Sequence, residues 1–175
     1  MSRPVTFRPE SAACRARIDG STAWDVAATV LDPEVPVLTI ADLGILRDVT
    51  VDERGHVRVQ ITPTYSGCPA MDAIRADIEA AFREHEVHDV TVEFVLAPAW
   101  TTDWMTDAGR EKLQAYGIAP PQPRREGPVA LRLSVRCTNC GSPDTRELSR
   151  FGSTACKALW VCNSCREPFD YFKAI

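Results

Sequence analysis

No apolar run in this chain approaches the roughly 20 residues that a membrane-spanning helix needs. The first ten residues, Met1 to Glu10, lack the apolar stretch of a secretory leader. A cytoplasmic protein is the expectation. Histidine is scarce: His56, His85 and His88 fall in a hairpin and near a helix end, and none is placed as a base for a cysteine. There is no glycine-rich phosphate loop, because Gly44 and Gly55 stand alone. A pair of Glu-x-x-His motifs is missing too, which argues against a diiron oxygenase built in a helix bundle. Nor is there an excess of positive charge. Residues 1–128 hold 13 basic and 20 acidic side chains (−7), and residues 129–175 hold 7 and 4 (+3). Four thiolates on one divalent ion would remove about two of those positive charges. That leaves no electrostatic footprint for nucleic acid.

What the chain does have is cysteine, seven in 175 residues. An odd count and a cytoplasmic setting argue for thiols rather than a disulfide framework. Four of them form two tight pairs, Cys137-Thr-Asn-Cys140 and Cys162-Asn-Ser-Cys165, with 21 residues between the pairs. Two such knuckles can aim four sulfurs at one tetrahedral metal. Zinc fits as a structural ion; a single iron in an electron-transfer site satisfies the same spacing. A closed four-thiolate site has no open position for substrate, so its expected role is structural or docking. A module of about 45 residues buries too little apolar surface to fold alone, and metal ligation would supply the missing stability.

The rest reads as a small α+β domain of order α-β-β-α-β-α, helices packed on a mixed or antiparallel sheet, followed by the four-cysteine zinc ribbon. Residues 1–20, with Pro4, Pro9 and Cys14, are expected to be a flexible arm, and Cys14 an incidental exposed thiol. A helix follows, with Thr22 to Asp25 resembling a capping box and Trp24, Ala27, Ala28 and Leu31 forming an apolar face. Asp32-Pro33 ends it. Residues 32–44 form a structured loop.

A hairpin is expected next, with strands near 45–51 and 57–62 and its turn at Asp52 to Gly55. A second helix begins at Pro69, burying Met71, Ile74, Ile78, Ala81 and Phe82 and pairing Asp72 with Arg75. A third strand turns Val90, Val92, Phe94 and Leu96 inward, and a third helix covers 103–116, stopping at Gly117. The domain thus spans 21–118. Residues 119–128, with four prolines, read as a stiff exposed linker, and 129–175 as the ribbon, covered on one side by Trp160, Phe169, Tyr171 and Phe172.

Cys68 is the candidate for chemistry. It stands in Thr62-Pro-Thr-Tyr-Ser-Gly-Cys68-Pro69, where a strand has ended and a helix begins. Free N–H groups and the helix dipole at that point favour a thiolate. Thr62, Thr64 and Ser66 offer hydroxyls to the sulfur or to an inorganic ligand. The alternative is a buried helix-start cysteine without chemistry. No second cysteine lies three residues away, so a dithiol redox pair is not expected. Asp32, Glu34 and Asp42 are able to approach the same face and help bind iron, which accepts thiolate and carboxylate; otherwise Asp32 caps a turn and Glu34 is solvated. Cys156, beside Lys157, is either a small buried apolar residue or a reactive, cluster-binding thiol.

Asp32-Pro-Glu-Val-Pro-Val, Asp42-Leu-Gly-Ile-Leu and Thr62-Pro-Thr-Tyr-Ser-Gly-Cys68-Pro, in that order, resemble the SufT-like domain of iron–sulfur maturation proteins over roughly residues 20–118. The run from Arg150 through Cys156 to Leu159, together with Cys162-Asn-Ser-Cys165-Arg-Glu-Pro-Phe, narrows the likeness. The whole chain beyond its first twenty residues resembles the PaaD (PaaJ) family, accessory components encoded with bacterial phenylacetyl-CoA epoxidase.

The resemblance implies a part in aerobic phenylacetate degradation, assisting iron–sulfur or iron-centre assembly rather than oxygenation. It maps the key cysteine to Cys68 and the acidic loop to Asp32, Glu34 and Asp42. The expected cofactors are structural zinc and a transient cluster or iron on Cys68. Thr62 and Thr64 would tune that sulfur, and one acidic side chain or a second thiol would complete the site, the thiol being Cys68 of a second chain or Cys156. The expected partners are the epoxidase oxygenase or reductase subunits and a second copy of the chain, with no nucleic acid or membrane. No catalytic activity is expected of the chain alone. The alternative is a non-catalytic scaffold of the epoxidase complex.

Overall fold

Asp19 starts the first helix by accepting the Thr22 N–H at 2.8 Å on its side chain. The computed structural model describes residues 18–65, 67–122 and 135–175. Cys14 and most of the expected arm, Ser66, linker residues 123–128, Leu131 and Leu133 lie outside these described residues. Helix α1 is Gly20–Ala28, so the cap sits three residues before the expected Thr22. The apolar face is rotated accordingly. Ala23, Val26, Ala27 and Val30 are buried, while Trp24 and Leu31 are 38% and 49% exposed. The period of 3.6 is as expected, but the small Ala23 and Ala27 pack inward, where α1 approaches β1 closely.

Strands β1 (Leu46–Val51) and β2 (Val57–Ile61) form the expected antiparallel hairpin. Asp52 Oδ1 closes its turn on the N–H groups of Arg54 and His56, each at 2.9 Å. Val57, Val59 and Ile61 alternate into the core, all fully buried. Helix α2 (Ala70–Glu84) then crosses to β3 (Val90–Phe94), which pairs parallel to β2, so the sheet order is β1-β2-β3. Ile74, Ile78 and Phe82 of α2 are fully buried on one stripe. Leu96 does not turn inward: it is 64% exposed beyond the strand end, and Phe94 is 39% exposed. The Arg75 guanidinium, 4.2 Å from the Phe94 ring centre, shields that edge aromatic.

A 3-10 turn, Thr102–Trp104, precedes helix α3 (Asp107–Tyr116). Thr106 Oγ1 caps α3 by accepting the Gly109 N–H, so the helix begins four residues later than expected; it ends at Gly117 as expected. Gly44 sits at φ +70°, where an added Cβ would lie 2.6 Å from the Trp104 carbonyl oxygen. Loop 32–44 rests against the 3-10 turn only because that Cβ is missing.

The ribbon sheet has the order β4-β7-β6-β5, from β4 (Ile118–Ala119), β5 (Thr145–Ser149), β6 (Lys157–Cys162) and β7 (Pro168–Phe172). Strand β4 pairs parallel to β7. The first residues of the expected exposed linker are therefore packed. Ala119 and Pro121 are buried, and Arg110 Nη1 donates to the Pro121 carbonyl at 2.7 Å.

Alternation along β7 sends Phe169 to a small ribbon core with Trp160 and Tyr171, and Phe172 to the other face. There Phe172, expected on the ribbon's own cover, enters the main core 6.3 Å from Trp100. Trp100 Nε1 donates to the Leu43 carbonyl, and the Ile175 carbonyl accepts from Thr101 Oγ1 and the Thr102 N–H. The result is an α+β domain with the ribbon docked on it through shared apolar packing.

Candidate functional site

The two knuckles are built alike. Gly141 and Arg166, each directly after the second cysteine of its pair, have left-handed φ of 72° and 66°. Their N–H groups donate to the Cys137 and Cys162 carbonyls at 3.0 and 2.9 Å. The N–H groups of Cys137 and Cys162 donate to the Ser142 and Glu167 carbonyls, both at 3.0 Å. The Cys140 and Cys165 N–H groups point to the sulfurs of Cys137 and Cys162 at 3.5 and 3.4 Å. The latter bond is the main reason the Cys162 thiol is drawn down to about 6. All four sulfurs lie within 4.8 Å of one another, the size of a tetrahedral metal cage.

The second site lies where loop 32–44 meets the start of α2 and the loop before β6. Asp32 shapes the first of these. Its Oδ1 accepts the N–H groups of Glu34 and Val35 at 2.9 and 2.7 Å, while Val35, Leu38 and Ile40 anchor the loop in the core. Glu34 is left half-buried at the turn.

Pro69 precedes α2 without a side-chain cap, and the Ala70 N–H is given to the half-buried Cys68 sulfur. Thr64 also hydrogen-bonds that sulfur. The expected thiolate is nevertheless not the resting form. Burial pushes the Cys68 thiol up, the Ala70 and Thr64 bonds oppose this, and the Glu34 and Asp32 carboxylates add to the rise. Desolvation plus like charge outweighs one N–H and a helix terminus.

Cys156 reaches the same place from the ribbon. It is buried, with Thr154 Oγ1 2.9 Å and Glu34 Oε2 3.8 Å from its sulfur. Burial pushes this thiol up as well, against Thr154 and Lys157 and with Glu34 and Asp32. Lys157 favours the thiolate as expected, but burial outweighs it; its Nζ also donates to the Glu34 carbonyl at 3.4 Å. Tyr65 joins the group. Burial, Cys68, Glu34 and Cys156 together raise its phenol.

Two expected members stand apart. Asp42 accepts from Lys112 Nζ at 2.6 Å, the Thr39 N–H at 3.0 Å and Thr106 Oγ1 at 3.3 Å, which ties loop 32–44 to α3. Burial alone would raise it, but Lys112 and Thr39 hold its carboxyl below the usual range. The Thr62 hydroxyl is buried and makes no hydrogen bond to the sulfur or to any other group. Sequence reasoning did not single out Tyr65 or Thr154, although each lies within three residues of a singled-out cysteine.

A putative 1,2-phenylacetyl-CoA epoxidase subunit of Escherichia coli (strain K12) is 51% identical over 152 residues, which cover 87% of this chain and 91% of that protein. The family described as "PaaD zinc beta ribbon domain" matches residues 121–173. The chain belongs to the PaaD family. Membership places all four knuckle cysteines, and Cys156, inside the PaaD ribbon match.

A second family, "Iron-sulfur cluster assembly protein", matches residues 22–94 and contains Asp32, Glu34 and Cys68. Over that half the PaaD-family chain is 36% identical to the "Fe-S protein maturation auxiliary factor" of Porphyromonas gingivalis (strain ATCC BAA-308 / W83), covering 45% of this chain and 75% of that one. The crystal structure of "Domain of Unknown Function DUF59 from Bacillus anthracis" superposes with a TM-score of 0.50 at 28% identity, over 54% of this chain and 90% of that chain.

Proposed function

We propose that this protein is an accessory factor of a bacterial phenylacetyl-CoA epoxidase, and that it assists assembly of an iron–sulfur cluster or iron centre through Cys68. The observation that carries this reading is the setting of Cys68: a half-buried thiol just before α2, in the field of the Glu34 carboxylate that also faces a second thiol, Cys156 Sγ, at 3.8 Å. Those are groups that meet a metal rather than ones that pack hydrocarbon. The E. coli relative's name supports the epoxidase as client, and the maturation-factor relative supports the task.

Cargo iron binds by displacing the thiol proton, so the resting thiol is compatible with weak, reversible loading. The ribbon holds zinc through Cys137, Cys140, Cys162 and Cys165, and docks the oxygenase or reductase component. Anaerobic reconstitution with iron and sulfide tests the proposal. Cys68→Ser is expected to lose both loading and epoxidase maturation; equal loading and equal maturation would refute it.

The raised Cys68 thiol favours a second reading, a non-catalytic scaffold in which Cys68 is only packing. Co-purification of epoxidase subunits with Cys68→Ser, at full epoxidase activity, is the outcome that reading predicts.

A further inference from the structure

Two thiols share one carboxylate, and one of the two belongs to the ribbon. Glu34 Oε2 lies 3.8 Å from Cys156 Sγ, and the same carboxylate acts on Cys68. The Tyr65 phenol feels the charge of both Cys68 and Cys156. Each sulfur has its own hydroxyl, Thr64 for Cys68 and Thr154 for Cys156. Asp32 gives Oδ1 to two backbone N–H groups and adds negative charge beside both sulfurs. Two thiols and one carboxylate form a mixed soft and hard donor set. It suits ferrous iron or a similar borderline divalent ion and does not suit magnesium or calcium.

We infer that Cys156 and Glu34 complete the Cys68 site within a single chain, making a two-thiolate, one-carboxylate site for one ferrous-type ion. The inference rests on the reading of Cys68 as the cargo thiol. It makes the docked ribbon part of the site and removes the need for a second chain's Cys68.

Among the described residues, only the four ribbon sulfurs already lie within 4.8 Å of one another. The ligand atoms of Cys68, Cys156 and Glu34 are not all within that distance, so closing the second site on an ion requires them to draw together. Two thiols give up two protons to solvent as two metal–sulfur bonds form, with no change in oxidation state. A site that must be assembled at each loading binds weakly enough to release its ion. Its remaining coordination positions stay open to an acceptor.

Cobalt(II) is the probe. The full chain, with one zinc per ribbon confirmed by elemental analysis, is titrated with cobalt(II) without oxygen. X-ray absorption at the cobalt edge then counts sulfur ligands independently of the zinc. The expected result is one cobalt bound to a monomer through two sulfurs. Cys156→Ala is expected to show one sulfur and about tenfold weaker binding, with zinc retained, and Glu34→Gln two sulfurs and about tenfold weaker binding.

A single sulfur in the wild type, or a dimeric cobalt complex, overturns the inference even where Cys156→Ala fails to fold. Unchanged binding in Cys156→Ala with loss in Cys68→Ser overturns it while leaving the Cys68 reading intact. Unchanged binding in Cys68→Ser overturns both.

Discussion

Glu34 Oε2 faces the Cys156 sulfur at 3.8 Å across 122 residues of sequence. The contact joins a loop of the α+β domain to a loop of the ribbon, and the same carboxylate raises the Cys68 thiol. Removing its charge has a definite sign. In Glu34→Gln both thiols lose a like-charge neighbour, so both titrate at lower pH. Alkylation of Cys68 by iodoacetamide at pH 8, followed by peptide mass spectrometry, is expected to speed up by about three- to tenfold. An unchanged or slower rate would show that Glu34 exerts no charge effect on the sulfur.

The Asp42–Lys112 pair holds α3 against loop 32–44. The Asp42 carboxyl is depressed in the folded chain, so its stabilisation is full above the unfolded value of about 3.9 and is lost as pH falls through the folded value. Asp42→Asn should cost about 1–2 kcal/mol at pH 7, measured by urea unfolding. The gap from wild type should narrow below pH 4. A gap that does not depend on pH would mean that charge is not what Asp42 contributes.

Metal loss should spread beyond the ribbon. Phe172 and Cys156 belong to the main core, so unfolding β5 to β7 uncovers Trp100 and its neighbours. Chelation, or Cys162→Ala, is expected to lower the melting temperature of the whole chain. Hydrogen exchange should report faster opening at the Trp100 segment as well as in the ribbon. Loss of ribbon structure with an unshifted α+β transition would contradict the shared packing.

Backbone strain predicts opposite outcomes at two positions. Arg166 holds a left-handed φ of 66° that its knuckle counterpart fills with glycine. Arg166→Gly should stabilise the metal-loaded chain by about 0.5–1 kcal/mol. Gly44→Ala places a Cβ 2.6 Å from backbone at φ +70° and should cost about 2 kcal/mol or more. Paired thermal melts at constant zinc check both.

The α+β order, the hairpin, the buried stripe of α2 and the two cysteine pairs were all legible in the sequence, because each rests on local period or spacing. The phase of α1 was not. Trp24 and Ala23 lie on neighbouring faces, and only the close approach of the sheet selects the smaller residue. Nor was the fate of Phe172, because alternation along β7 divides its three aromatics between two faces and says nothing about which core lies beyond. The place of Cys68, between the end of β2 and the start of α2, was legible through its neighbours in sequence. Its raised thiol was not, because the Glu34 and Asp32 carboxylates that oppose ionisation come from another segment. Asp42 looked like a third acidic member until Lys112, 70 residues later, claimed it.

Iron on Cys68 is tested by metal and sulfide content, with visible absorption, of the protein purified without oxygen. Iron beyond the one metal ion of the ribbon is expected, lost in Cys68→Ser while the ribbon metal stays. One metal ion per chain in both proteins, with no iron gained on anaerobic addition of ferrous iron and sulfide, would contradict it.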